Sequence, residues 1–87
     1  MAKTVIKFFS NGCTPCRDYA PIFNKIKEEF RDSVEFVEVD IDKVSEKLVT
    51  KYKVDAVPTT IFLEGEDVLY NIKGAIPEDQ LRELILK

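Results

Sequence analysis

One segment near the start of the chain carries most of the structural information: Val5-Ile6-Lys7-Phe8-Phe9-Ser10-Asn11-Gly12-Cys13-Thr14-Pro15-Cys16. Its first part is β-branched and aromatic, which predicts a buried strand interrupted by a single lysine. The Ser-Asn-Gly sequence that follows is turn chemistry. The proline after the turn fits the first turn of a helix, where a missing backbone N–H does no harm. The segment therefore predicts a strand, a turn and a helix that begins beside two cysteines.

The rest of the chain continues to alternate strands and helices. The predicted elements after the first strand are a helix over residues 14–31, strands over 34–39, 60–63 and 68–72, a helix over 43–53, and a last helix from residue 77. Tyr19, Phe23, Ile26 and Phe30 recur at steps of four, three and four, which predicts an apolar stripe along the first helix. Pro21 should kink this helix, and Asp42 is the predicted N-cap of the second. The order β-α-β-α-β-β-α predicts an α/β fold with a parallel first strand pair, an antiparallel final hairpin and a single domain over residues 1–87.

Composition narrows the class of protein. The chain has 87 residues, of which 45% are hydrophobic and 33% charged, which is typical of one globular domain with one core. The net charge is −3 with no basic patch, so we expect no nucleic-acid partner. No apolar run approaches the roughly 18 residues of a membrane span. The N-terminal stretch has no signal-peptide layout, which predicts a cytoplasmic protein without a membrane partner.

The chain has two cysteines, spaced C-x-x-C, and no histidine. A zinc site usually takes four Cys or His ligands, so a metal would have to be shared between two chains. A purely structural disulfide is a second alternative, but so short a loop would remove little unfolded-state entropy. In a cytosolic chain, C-x-x-C beside a βαβ pattern is typical of a thiol redox site.

The two cysteines should have different roles. Cys13 lies where a strand ends and a helix begins, and the unpaired N–H groups there stabilise an anion. It should therefore be the exposed thiolate that attacks, while Cys16, within the first turn, should be the buried thiol that resolves the mixed disulfide. Arg17 either lowers the energy of the thiolate further or is a solvated surface charge.

Three separated motifs resemble the thioredoxin family: Cys13-Thr14-Pro15-Cys16-Arg17 with Pro21 downstream, Val57-Pro58-Thr59, and Lys73-Gly74-Ala75. The resemblance runs from about residue 5 to the end of the chain and lacks the strand and helix that open a full-size thioredoxin. It implies the minimal thioredoxin fold, a central mixed four-stranded sheet flanked by three helices. Glutaredoxins and short archaeal or viral thioredoxin-like proteins share that reduced core.

The resemblance also implies roles for individual residues. Cys13 would be the nucleophile and Cys16 the resolving thiol, and their redox-active disulfide would make any organic cofactor or metal unnecessary. Pro58 would be cis and close to both sulfurs, although an ordinary trans turn is the alternative. The remaining supporting and substrate-binding residues would be Gly12, Thr14, Pro15, Val57, Thr59, Gly74 and Ala75, with Ile76 beside them. Two of these have simpler interpretations, since Gly74 fits an ordinary turn and Ile76 fits helix-entry packing.

Several positions depart from the family pattern. Gly12 stands where thioredoxins usually have Trp, and Thr14 replaces the usual Gly between the cysteines. Six residues before the first cysteine the family usually has a buried Asp, and twenty-five residues after it a Lys; this chain has Lys7 and Glu38 there. Because burying either charge alone is costly, we expect the two to pair behind Cys16. Glu38 would then accept a proton and Lys7 would stabilise a thiolate; the alternative is that both side chains extend separately to solvent.

These observations predict a monomeric enzyme that reduces protein disulfides with electrons from a thioredoxin-reductase-type donor. A glutathione-linked, glutaredoxin-like enzyme is the first competing interpretation. Glutaredoxins, however, usually have Tyr or Phe between the cysteines and Gly-Gly in the later loop, where this chain has Thr14-Pro15 and Gly74-Ala75. A non-catalytic binding subunit is the second, and a dimer that shares a metal between its two chains is the third.

Overall fold

The computed structural model describes residues 3–87. It contains β1 (Lys3–Phe9), α1 (Thr14–Phe30), β2 (Val34–Asp40), α2 (Glu46–Lys51), β3 (Thr59–Glu64), β4 (Asp67–Lys73) and α3 (Glu78–Leu86). The strands lie in the order β2-β1-β3-β4, with β1 and β2 parallel and the other two pairs antiparallel. The predicted mixed sheet with three helices is confirmed. The single domain over residues 1–87 stays a prediction, and its first two residues lie outside the described range.

Apolar side chains cover both faces of the sheet. On one face α1 and α3 bury their apolar stripes, which consist of Tyr19, Phe23, Ile26, Leu81, Leu84 and Ile85. On the other face, the partly buried side chains of α2 pack against a second cluster. Successive residues of a strand point to opposite faces, so Val5 joins the first cluster and Ile6 and Phe8 the second. By the same alternation Lys7 points beneath α1.

Helix α1 carries the cysteine motif and spans 17 residues. Its buried positions, Cys16, Tyr19, Phe23 and Ile26, recur at steps of three or four, as the apolar stripe predicts. Pro21 is on the exposed side, and the helix continues through it to Phe30. The kink expected at Pro21 stays a prediction.

The prediction for α2 was wrong at its start. The helix begins at Glu46 with Ser45 at the N-cap, not after Asp42. The side chain of Asp40 accepts the backbone N–H of Asp42 at 2.9 Å, and the Asp40 carbonyl accepts the N–H of Lys43 at 3.0 Å. These bonds close a turn that competes with the first helical turn. Similarly, Pro77 is the N-cap of α3 and not its first helical residue.

Candidate active site

A disulfide joins Cys13 and Cys16 at the N-terminus of α1, as expected. Cys13 is the N-cap residue, with an extended backbone at φ −98° and ψ 109°. Its sulfur accepts the backbone N–H of Cys16 at 3.1 Å. Side chains at this position satisfy amides that the helix leaves unpaired. When the disulfide is reduced, the same amides and the helix dipole favour a thiolate on Cys13.

The expected contrast in exposure between the two cysteines is not found. Cys13 is 8% exposed and Cys16 is 5% exposed, so both are buried. Cys13 is buried because the loop across from α1 covers its sulfur, with the carbonyl oxygen of Val57 at 3.5 Å. The assignment of Cys13 as the attacking residue therefore depends on its place at the helix entrance, and it stays a prediction.

The loop opposite the disulfide contains the cis peptide bond that the resemblance implies, between Val57 and Pro58. Pro58 is fully buried, and its carbonyl accepts the backbone N–H of Gly74 at 2.7 Å. Gly74 has a φ of +94°, a conformation that residues with a side chain rarely adopt. This backbone conformation therefore requires glycine at position 74. The hydrogen bond from Gly74 to Pro58 also holds the loop beside the disulfide.

The other predicted substrate-surface residues differ in accessibility. Thr59 is fully buried, and its hydroxyl donates to the carbonyl of Ala56 at 2.7 Å, so its side chain holds the loop together. Ile76 is 2% exposed and belongs to the core, as helix-entry packing predicts. The exposed members of the set are Gly12, Thr14, Pro15 and Ala75.

The predicted ion pair behind the cysteines is present. Lys7 and Glu38 are register partners on β1 and β2, and the Lys7 Nζ is 3.1 Å from Glu38 Oε1. The Lys7 ammonium also lies 4.7 Å from the ring centroid of Phe23 and 5.5 Å from that of Phe9. Lys7 is only 3% exposed, so the alternative that it extends to solvent is wrong. Lys27 was not predicted to join the pair, yet its Nζ is 3.2 Å from Glu38 Oε2. The signal in the sequence for this contact was that Lys27 lies one helical turn after Phe23.

The ion pair and the resolving cysteine share one open cleft of about 420 Å³. The lining residues are Lys7, Phe9, Ser10, Asn11, Cys16, Arg17, Ala20 and Glu38. This places the pair on the side of Cys16, where the hypothesis put it. Arg17 is exposed at the same cleft.

The protonation of Glu38 bears on its expected role. Partial burial by itself would raise the pKa of Glu38, but hydrogen bonds from Lys7 and then Lys27 outweigh it and hold that pKa below its ordinary value. A carboxylate with a lowered pKa is a weak proton acceptor at neutral pH. Acceptance of the Cys16 proton by Glu38 stays a prediction, and this electrostatic environment works against it.

A buried hydrogen bond joins the cysteine helix to the strand that follows Pro58. The hydroxyls of Tyr19 and Thr60 are 2.8 Å apart, and both residues are fully buried. Burial raises the pKa of Tyr19 to about 12, more than the hydrogen bond with Thr60 lowers it. From the sequence, Tyr19 was expected only as part of the apolar stripe. Tyrosine in place of phenylalanine at a buried position was the signal of a polar partner.

Metal clusters and membrane-spanning helices are both absent from residues 3–87. Within that range, no three or more His, Cys, Asp or Glu side chains are grouped so that they could hold a metal ion. None of the helices in the described part of the chain is long and apolar enough to cross a membrane. Neither result tests the metal shared between two chains.

The sequence model of the thioredoxin family matches residues 1–87. The chain belongs to the thioredoxin family. Like the members of this family, it is a thiol–disulfide oxidoreductase that reduces protein disulfides, and the disulfide at the helix entrance is its redox-active group. Thioredoxins need no other cofactor for this reaction.

Thioredoxins from distant organisms resemble the chain. It is 34% identical to thioredoxin of Mycoplasmoides gallisepticum, with 95% of this chain and 81% of that protein aligned. It is 43% identical to thioredoxin H5 of Oryza sativa, with 86% of this chain aligned to 54% of that longer protein. The crystal structure of Fasciola hepatica thioredoxin superposes with a TM-score of 0.86 at 36% identity, covering 98% of this chain and 79% of that one.

Proposed function

We propose that the chain reduces disulfides of partner proteins in the cytoplasm, through Cys13 as the nucleophile and Cys16 as the resolving thiol. One observation carries the assignment of roles: Cys13 caps α1, and its sulfur receives the N–H of Cys16 at 3.1 Å. That sulfur is also 3.5 Å from the carbonyl of Val57, so the cis-proline loop borders the reacting atom. Val57 is only partly buried, and its backbone can pair with an extended substrate segment.

The reaction consists of two thiol–disulfide exchanges. The Cys13 thiolate attacks one sulfur of the substrate disulfide, whose other sulfur leaves as a thiolate and takes a proton from solvent. Cys16, as thiolate, then attacks the Cys13 sulfur of the mixed disulfide, and the second substrate sulfur leaves. The substrate gains two electrons and two protons, and the chain ends with the Cys13–Cys16 disulfide.

A second set of exchanges must return the chain to its dithiol form. We propose a thioredoxin-reductase-type protein as the electron donor. The residues between the cysteines, Thr14 and Pro15, and the pair Gly74-Ala75 support this donor over glutathione, because the glutaredoxin pattern has other residues at these places. The cytoplasmic location is supported by the cysteine count, because a small secreted domain usually has four or more cysteines and this chain has two.

Reduction of a model protein disulfide by dithiothreitol tests the proposed roles. The wild-type chain should accelerate the reaction, and Cys13→Ser should be inactive. When reduced Cys16→Ser is mixed with the disulfide substrate in the absence of dithiothreitol, it should accumulate a mixed disulfide between Cys13 and the substrate, detected by mass spectrometry. Replacing dithiothreitol by NADPH with thioredoxin reductase, or by glutathione with glutathione reductase, then compares the two donors.

Two outcomes would contradict the proposal. If wild type and Cys13→Ser are equally inactive, the disulfide is structural or belongs to a docking surface. If Cys13→Ser forms the mixed disulfide through Cys16 instead, the two roles are reversed. Circular dichroism of each variant shows that the fold is retained.

A further inference from the structure

The cleft beside Cys16 contains a buried positive charge that the two exchanges do not use. The Lys7 side chain is 4% exposed and projects from β1 beneath α1. Its ammonium faces the Phe23 ring at 4.7 Å and the Phe9 ring at 5.5 Å, and both ring faces attract a cation. The contacts therefore hold the charge at one place in the cleft.

The charges around Lys7 do not cancel. Among residues 3–87, Glu38 is the one carboxylate that lines the cleft, and it is shared between Lys7 at 3.1 Å and Lys27 at 3.2 Å. Arg17 adds another positive charge to the lining. The Glu38 side chain is 34% exposed, so water screens the anion better than it screens the buried cation. The charged side chains that line the cleft with Cys16, two cations and one carboxylate, thus carry a net positive charge.

This net positive charge affects the two redox states of the cysteine pair differently. The disulfide is uncharged, whereas the dithiol can lose a proton and become a thiolate. A nearby cation stabilises the thiolate and has little effect on the uncharged disulfide. A buried charge acts more strongly than an exposed one, because the local dielectric constant is lower.

We propose that Lys7 sets the redox poise of the cysteine pair: it stabilises the reduced, thiolate form and shifts the equilibrium from disulfide towards dithiol, while Glu38 opposes it. This inference rests on the proposed function only in that Cys13 and Cys16 form the redox centre. It extends the thiolate stabilisation expected of Lys7 to the redox equilibrium, and it gives Glu38 an opposing electrostatic role in place of proton acceptance.

Equilibration with dithiothreitol measures this effect directly. In the reaction the Cys13–Cys16 bond breaks, a sulfur–sulfur bond forms in dithiothreitol, and two electrons pass to the protein. The two dithiothreitol protons go to the cysteines or, for the thiolate fraction, one goes to solvent. Lys7 acts on that fraction, so its effect appears both in the equilibrium constant and in the ultraviolet absorbance of the thiolate as the pH is raised.

Three variants separate charge from packing. Lys7→Met should lower the equilibrium constant for dithiol formation about tenfold, which is about 30 mV for a two-electron couple, and should move thiolate formation to higher pH. Glu38→Gln should shift both quantities in the opposite direction. Lys27→Met is the matched control: it removes an ammonium from the same carboxylate, but the Lys27 side chain is 44% exposed, so a change of less than about threefold is expected.

The opposite signs make the test decisive. Loss of packing would affect Lys7→Met and Glu38→Gln in the same direction, so shifts of the same sign would overturn the proposal, as would the absence of any shift in both. If Lys7→Met does not fold, an unchanged or lowered constant for Glu38→Gln overturns it instead. Failure of the proposed function is separate, because a wild-type chain without a disulfide reducible by dithiothreitol would have no redox centre at all.

Discussion

Among individual residues, Tyr19 and Thr60 show how polar groups can hold the active site without contacting the substrate. Their hydrogen bond of 2.8 Å crosses the core between α1, which carries the cysteines, and β3, which follows Pro58. Neither hydroxyl is exposed to water, so each depends on the other as a partner. This bond therefore links the helix that carries the cysteines to the strand that follows the cis-proline loop.

Removing one partner of this hydrogen bond should lower the free energy of unfolding more than removing both partners. Tyr19→Phe leaves the Thr60 hydroxyl buried without its partner, and we expect a loss of about 1–3 kcal/mol in the free energy of unfolding, measured by urea denaturation. Adding Thr60→Val to that variant should recover part of the loss. Strictly additive effects of the two changes would show that the hydroxyls do not interact.

The stability of Tyr19→Phe relative to wild type should also depend on pH. The pKa of Tyr19 is raised to about 12 in the folded chain, compared with about 10 in an unfolded one. The stability linked to this shift is fully present below pH 10 and is lost as the pH rises through the folded value. The stability difference between wild type and Tyr19→Phe should therefore shrink in that alkaline range, and a constant difference would contradict the assignment.

Among the elements, α3 completes the face of the sheet on which α1 packs. Leu81 is fully buried in the cluster that also contains Phe23 and Phe62, whereas Leu86, at the end of the helix, is 69% exposed. The apolar stripe thus attaches the helix to the sheet, and at its end the ammonium of Lys3 also donates to the carbonyl oxygens of Ile85 at 2.6 Å and Lys87 at 2.8 Å. Arg82 adds an ion pair with Glu29 of α1, with N–O distances of 2.8 and 2.9 Å, but salt screens such surface contacts.

Truncation of the stripe should loosen this helix. Leu81→Ala creates a cavity beneath α3, and we expect a loss of about 2–5 kcal/mol in the free energy of unfolding. Leu86→Ala in the same helix is the matched control and should change it by less than about 0.5 kcal/mol. Equal effects of the two variants in chemical denaturation would show that α3 is not held by its buried stripe.

At the scale of the whole molecule, the dimensions agree with one compact unit. The radius of gyration of the Cα atoms is 12.1 Å. A compact chain of this length is expected to have a value of about 12 Å. The predicted single domain would therefore use nearly all of its chain in one packed body.

The predicted monomer has a simple physical test. Size-exclusion chromatography with light scattering should give a molar mass near the 10.0 kDa of one chain, with and without a reducing agent. A mass of twice that value, especially with bound metal in freshly purified protein, would favour the dimer in which two chains share a metal through their cysteines.

Much of the site could be predicted from the sequence because its signals are local. The C-x-x-C spacing and the adjoining Pro15 placed both cysteines at a helix entrance. The Val57-Pro58 bond was expected to be cis because of its motif. Lys7 and Glu38 were expected to pair because a buried charge needs a partner, and their strands place them side by side.

Other features of the site could not be predicted from the sequence, because they depend on which surfaces meet after folding. Three features are of this kind: the similar burial of Cys13 and Cys16, the contact of Lys27 with Glu38, and the hydrogen bond between Tyr19 and Thr60. Each depends on contact between different segments of the chain. Sequence periodicity identifies the inward face of a helix or strand, but not the atom that it will contact there. Such contacts are set by the packing of α1 against β2 and β3, because hydrogen bonds and charges act through short distances in space and not through spacing along the chain.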